Sequence, residues 1–290
     1  MRIGPILPNA GEPSRANVLA VARVAEQLGY DSLWTPAHTA IPVHFDSRYP
    51  YSPTGRPGWD ATSPWGDAFI SLAFAAAVTE RVRLGPSLIP LIITDPLTLA
   101  KQASTLDVYS NGRLELGIGA GWLLEEAEAL GRPTDHRLGR LEETIDILRL
   151  AWSHETFSYQ GRFWSFPELG VNPRPTQGDR LPIWIGGQGQ RALEVAAKHG
   201  CGLMLWFVEP GAVRDYASRL RAAGGAGPIA AALRLAGKKD RWLELAQEYA
   251  EVGTDLLILT GYGEGSTITE ELEQFGAEVL PKIREFTVVR

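Results

Sequence analysis

Histidine and glycine carry the clearest chemical signals in this chain. His38 stands where the apolar run DSLWT (31–35) gives way to a long proline- and aromatic-rich segment. An imidazole at such a junction can serve as acid, base or hydrogen-bond donor near neutral pH. Held only by packing it is a structural hydrogen-bonding group, and both readings stand. The stretch GGQGQR (186–191) sits between an apolar run and a helical pattern. Exposed backbone N–H groups at Gly186, Gly187 and Gly189, with the helix dipole behind them, can hold a phosphate, and Arg191 can add charge. The alternative is a plain glycine turn beside a solvated arginine. GIGAGW (117–122) is not the dinucleotide fingerprint, because its spacing is G-x-G-x-G and it lies in the fourth unit of the chain. It is either a tight turn or a place where a flat ring approaches the backbone, with Trp122 beside it.

Other chemistries lose support. No H-x-H or H-E-x-x-H pattern occurs, so no metal site is expected. The single cysteine, Cys201, excludes an internal disulfide and cysteine-built zinc sites, and it reads as a small buried residue. There is no G-x-S-x-G elbow for a serine nucleophile. Glu115, inside an apolar strand, reads first as part of a buried salt bridge and second as a catalytic group. His44 lies in the long loop. His136, His154 and His199 fall on helical or inserted segments and read as structural.

The elements that must position these residues alternate along all 290 residues. Apolar runs at 2–7, 31–35, 81–89, 113–119, 181–187, 201–207, 227–235 and 254–261 read as strands. Amphipathic stretches at 14–29, 65–79, 95–109, 123–152 (broken near Gly131 and Pro133), 189–199, 209–223, 239–252 and 268–286 read as helices. The 227–235 run is weak, since alanine is a poor strand former. Eight strand–helix units with no linker predict one domain, 1–290, folded as an α/β (β/α)8 TIM barrel; a doubly wound sheet is the alternative. Two insertions interrupt it, 36–64 after strand 2 and 155–180 before strand 5. In the second, FSYQGRFWSF reads as a hairpin turning at Gln160-Gly161. Barrel active sites lie at the strand C-termini. That rule gathers His38, Trp122, the 186–191 loop and Trp206, with Phe45, Tyr49, Tyr51, Trp59 and Trp65 in or beside the first insertion as a lid.

The formal net charge of -6 offers no basic stripe for nucleic acid. No apolar run reaches the roughly 18 residues of a membrane span. The strand-like start MRIGPILP lacks a signal-peptide pattern, so the expected compartment is the cytoplasm. Nine tryptophans are unusual. Six of them, Trp34, Trp59, Trp65, Trp122, Trp184 and Trp206, are expected near one face of the barrel, as rigid walls for a flat ring and an apolar substrate.

Five ordered segments resemble the luciferase-like monooxygenase superfamily, in its coenzyme F420-dependent oxidoreductase branch: AEQLGYDSLWTPAH, IPVHFDSRYPYSPTGRP, AAAVTERVRLGPSLIPL, LAKQASTLDVYSNGRLELGIGAGW and PRPTQGDRLPIWIGG. The likeness spans roughly residues 1–205 and fades after 206, where the segment before the seventh helix looks shortened. It implies a (β/α)8 barrel that binds coenzyme F420, or alternatively FMN, at the strand C-termini. It implies a non-proline cis peptide after strand 3, which LGPSLI places at Ser87–Leu88, and a histidine near the ring's reactive edge, matched by His38. The phosphate segment of the family matches Gly186, Gly187 and Gly189. Arg48, Arg56 and Arg174 are candidates for the acidic tail of the deazaflavin. A small-molecule substrate and a homodimer are also implied. The rivals are an FMN monooxygenase using molecular oxygen and a barrel that holds a flavin without turnover. A sugar-phosphate barrel enzyme is disfavoured, because no strand end offers a lysine.

Overall fold

In the computed structural model, residues 1–263 and 267–286 are described. Strand β1 (Arg2–Pro5) is followed by helix α1 (Arg15–Leu28), which starts where the Ser14 side chain accepts the Asn17 N–H at 3.1 Å. It stops at Gly29, which adopts the left-handed conformation (φ 77°) that a side chain disfavours. The same alternation continues through β2 (Ser32–Thr35), α2 (Ala68–Ala76), β3 (Arg83–Pro86), the two-residue β4 (Ile89–Pro90), α3 (Pro96–Tyr109) and β5 (Leu116–Gly119). Then come α4 (Leu124–Ala129), α5 (Arg137–Ser153), the hairpin β6 (Phe157–Gln160) and β7 (Ser165–Leu169), β8 (Ile183–Gly186) and α6 (Gln190–Lys198). The chain ends with β9 (Gly202–Leu205), α7 (Pro210–Ala222), β10 (Ile229–Arg234), α8 (Trp242–Glu251), β11 (Leu256–Thr260), α9 (Ile268–Glu278) and α10 (Leu280–Glu285).

Seven strands form one curled parallel sheet in the order β1-β11-β10-β9-β8-β5-β4, and β2 pairs with β3. Single parallel bridges, Ile6 to Trp34 and Leu84 to Leu114, tie that pair to β1 on one side and β5 on the other. The eight barrel strands are therefore β1, β2, β3, β5, β8, β9, β10 and β11, as expected of a TIM barrel. Between β3 and β4 the Ser87–Leu88 peptide is cis. There the chain leaves its pairing with β2 and joins β5, through Ile89–Ile118 and Pro90–Gly119.

Two apolar clusters hold the barrel. The larger lies between strands and helices. The smaller fills the interior with Trp34, Trp184, Met204, Ala230, Ala232 and Ile258. The alanines of β10 now have a reason: Ala230 and Ala232 share the barrel interior with two indoles, and small side chains leave room for them. Gly85 and Gly202 serve the same end, since a Cβ at either would stand 2.4 Å from the Trp34 or Trp184 ring. Trp34 and Trp184 are thus core residues, 0% and 1% exposed, and do not line an open face. At the N-terminal end of the barrel Glu115 accepts from Arg2 Nη1 at 2.5 Å and from Trp184 Nε1 at 2.8 Å, and it also pairs with Arg83 Nε. This is the buried salt bridge its setting in an apolar strand predicts.

Three boundaries differ from the sequence reading. The last helical stretch is two helices, α9 and α10, parted at Val279 beside Pro281, whose missing N–H cannot continue the ladder. The break expected near Gly131 and Pro133 is wide, spanning 130–136. The hairpin turn is longer than Gln160-Gly161, closing with the Gly161 N–H on the Trp164 carbonyl.

Candidate active site

A cavity of about 1400 Å³ opens at the C-terminal ends of the strands. His38, at the end of β2, lies on its wall with 8% of the side chain exposed. Its Nδ1 is 2.7 Å from Glu126 Oε2, and Glu126 Oε1 accepts the backbone N–H groups of Thr39 (2.6 Å) and Ala40 (3.0 Å). A carboxylate only accepts, so Nδ1 donates, and in the neutral imidazole Nε2 is then the lone-pair nitrogen. Among the described residues Nε2 has no protein hydrogen-bond partner. Glu126 sits on α4, two strands round the barrel from His38, and is 1% exposed on its side chain. Residue spacing gives no hint of this pair; a carboxylate in the turn after GIGAGW is the only sequence signal.

The neighbouring Glu125 accepts the N–H groups of Asp46 (2.7 Å) and Ser47 (3.0 Å). Burial opposes its ionisation, but the Ser47 hydroxyl and these backbone donors prevail and hold its carboxyl below the usual range. Consecutive glutamates of α4 thus clamp the loop that follows β2. That loop brings the rings of Trp59 (4.8 Å between centroids) and Trp65 (4.9 Å) against His38, and Trp122, after β5, stands at 6.1 Å. Tyr49 and Tyr51 extend the wall to Trp206, with Tyr51 and Trp206 centroids 6.5 Å apart. Burial pushes the Tyr51 phenol well up, so it stays a neutral donor.

The floor is the Ser87–Leu88 bulge. Three glycines admit Leu88: a Cβ at Gly186 would stand 1.8 Å from Leu88 Cδ1, at Gly119 3.3 Å from it, and at Gly117 3.2 Å from Cδ2. Gly117 and Gly119 of GIGAGW therefore make room first for the bulge. The loop Gly187-Gln188-Gly189 is braced by Gln188, whose Nε2 donates to the Trp206 carbonyl at 2.6 Å while its own carbonyl accepts from Tyr216 at 3.0 Å. It leads into α6, whose first turn has no side-chain cap, so backbone N–H groups remain for an anion.

The cavity brings together His38, Ser87, Leu88, Trp122, Gly186, Gly187, Gly189, Arg191, Tyr51, Trp65 and Trp206. Phe45 is not on its surface and packs behind Trp122, with ring centroids 5.8 Å apart. Arg191 reaches it but is already paired with Glu142 (3.1 Å) and Glu194 (3.3 Å). Of the proposed tail cations Arg48 lines the cavity. Arg56 is held on the Phe45 carbonyl at 2.7 Å and Arg174 on the Ser153 carbonyl at 3.3 Å, so neither does. Arg137, Arg162 and Arg234 line it too, and the sequence reading passed over them. No aspartate or glutamate among the described residues does, so five arginines face a cavity free of acid in a chain of net charge -6.

An aromatic cleft, a histidine–glutamate pair and a glycine loop thus meet at one end of the barrel. The family model described as luciferase-like monooxygenase matches residues 2–250, and the chain belongs to that family. An uncharacterized protein of Mycobacterium tuberculosis is 34% identical over 189 residues, which is 63% of this chain and 65% of the relative, just under two thirds of its length. The oxygenase component of the flavin-dependent trigonelline monooxygenase of Acinetobacter baylyi is 27% identical over 65% of this chain and 47% of its own. The solved F420-dependent secondary alcohol dehydrogenase, in complex with an F420-acetone adduct, superposes with a TM-score of 0.78 over 98% of this chain and 99% of its own. Its 15% identity extends the likeness to the fold. No helix among the described residues is long and apolar enough to cross a membrane.

Proposed function

We propose that this protein is a coenzyme F420-dependent oxidoreductase acting on a small organic substrate. The observation that carries this reading is the cation set beside the glycine loop. Arg137 from α5 and Arg162 from the hairpin join Arg191 on one side of Gly187-Gly189, and neither Arg137 nor Arg162 forms an ion pair among the described residues. A lactyl phosphate followed by glutamate carboxylates needs cations beyond the phosphate loop; a single FMN phosphate does not. Two orphaned polar atoms also fit a ligand here, since Ser87 Oγ and Trp65 Nε1 are buried on the cavity wall without a partner.

When bound, the deazaflavin supplies a two-electron hydride donor or acceptor. The glycine loop and arginines would hold its acidic arm, and Ser87, Leu88 and Trp122 its ring. His38 Nε2 takes a proton from the substrate heteroatom or, once protonated, returns one. Glu126 fixes the tautomer and orientation of that ring. The clamped loop with Tyr49, Tyr51 and Trp59 excludes water.

Titration of the purified protein with coenzyme F420 and FMN checks the cofactor. Tighter binding of coenzyme F420 is expected. Replacing both Arg137 and Arg162 by glutamine should weaken it by roughly tenfold or more, at about 1.5–3 kcal/mol per charged hydrogen bond, with little change for FMN. Micromolar FMN binding without coenzyme F420 binding would instead support a monooxygenase, the reading favoured by the trigonelline relative.

We read residues 1–290 as one barrel domain that pairs as a homodimer. Helix α2 is apolar on its outer face as well as its inner one: Ile70 is 62% and Phe74 44% exposed, and Tyr109 of the adjacent α3 is 75% exposed. A helix apolar all round asks to be covered, and a second copy offers the same apolar face. Ile70→Asp should convert a dimer to a monomer in sedimentation velocity; a wild-type protein that sediments as a monomer at micromolar concentration sinks this. The free, buried Cys201 asks for no oxidising compartment and suits the cytoplasm.

A further inference from the structure

Two of the five cavity arginines are left over once the glycine loop and its flank are assigned. Arg234 ends β10, and the sheet order places β10 two strands beyond β8, on the side away from α5 and the hairpin. At about 4.8 Å per strand that is roughly 10 Å from the loop after β8. Arg48 comes from the lid. Neither forms an ion pair among the described residues.

The surroundings of Arg234 are apolar and neutral. Its guanidinium lies 5.0 Å from the centroid of Phe207, a residue held in the left-handed conformation at φ 52°. The Phe207 ring meets Tyr51 at 6.3 Å, and Tyr51 meets Tyr49 at 5.5 Å. The charge of Arg234 acts on the Tyr49 phenol, which burial otherwise pushes up. Neither phenol has a protein hydrogen-bond partner among the described residues. One guanidinium and two neutral hydroxyls thus share this part of the wall without an acid to satisfy them. Guanidinium forks match carboxylates in geometry, and such contacts are stronger than neutral ones.

We propose that Arg234, with the hydroxyls of Tyr49 and Tyr51, binds a carboxylate on the substrate, which is therefore an organic acid with an apolar or aromatic body. The aromatic wall from Trp206 to Trp59 would hold the body, running from Arg234 toward His38. Calling this ligand the substrate rests on the oxidoreductase reading above; the anion site itself does not.

The test uses 1-naphthoate as probe and 1-naphthamide as its neutral analogue, titrated by calorimetry into the protein with coenzyme F420 at saturation. Naphthoate should bind at least tenfold more tightly than naphthamide. Arg234→Gln should abolish that preference without changing naphthamide affinity, whereas Arg234→Lys should keep most of it. Arg234 is exposed and makes one ring contact, so these variants are expected to fold, and unchanged naphthamide binding verifies it. Equal affinities in the wild type, an unaltered preference in Arg234→Gln, or displacement of naphthoate by equimolar inorganic phosphate overturns the proposal. Cofactor binding is followed separately by its visible absorbance. Failure there, with an Arg234-dependent naphthoate preference intact, removes the cofactor assignment and supports the anion site.

Discussion

Replacing His38 by glutamine is expected to lower turnover by about 100- to 10,000-fold, the usual contribution of a positioned acid or base. Affinity for the proposed cofactor should barely move, because the glycine loop and arginines belong to other elements. The measurement is single-turnover bleaching or formation of the reduced cofactor with any active substrate, beside a direct binding titration. Turnover kept within a few-fold of wild type removes His38 from the chemistry. Glu126→Gln separates positioning from mere support. The amide would offer an N–H to His38 Nδ1, so the imidazole must place its proton on Nε2 to keep that bond. The rate should fall and its pH profile should change shape, which a purely structural role would not produce. Glu126 also accepts the Thr39 and Ala40 N–H groups, so a thermal melt must accompany the kinetics.

Glu115→Gln should cost about 3 kcal/mol of folding stability, near the low end for breaking a buried pair because its arginine partners can rehydrate. The carboxylate is 3% exposed on its side chain, while Arg2 and Arg83 are 35% and 28% exposed. Burial alone would raise the Glu115 pKa, yet the Arg2 hydrogen bond and charge, then Arg83, prevail and hold it below its ordinary value. The sign follows. A depressed carboxylate stabilises the fold fully above its unfolded pKa, about 4.3, and that contribution is lost as pH falls through the lower folded-state value. Urea unfolding should therefore separate wild type from variant at pH 7 and bring them together in acid. A gap that does not shrink as pH falls below the unfolded pKa would assign the effect to packing rather than charge.

Much of the barrel was legible because strands and helices announce themselves locally. Ser14 and Gly29 cap α1 through contacts within a few residues, and the glycine loop joins a strand to a helix in one short stretch. The seventh strand was hard to read for a physical reason. Its alanines are poor strand formers, and they are used because Trp34 and Trp184 share the barrel interior with them. The same two indoles show the limit of reading position from a strand. Trp34 and Trp206 lie at comparable points near strand ends, yet one is wholly enclosed and the other lines the cavity.

The sequence by itself determined the order of units, the end of the barrel where the cavity opens, the histidine that follows β2 and the glycine loop after β8. Each is encoded in neighbouring residues or in the fixed relation between strand direction and barrel end. Only the tertiary structure decided that Glu126 holds His38, that Arg137 and Arg162 join the glycine loop, and that Arg234 stands apart with two tyrosines. Those partners lie far from one another along the chain. They meet because barrel closure sets distant loops side by side, and charge and hydrogen bonding act through space rather than along the sequence.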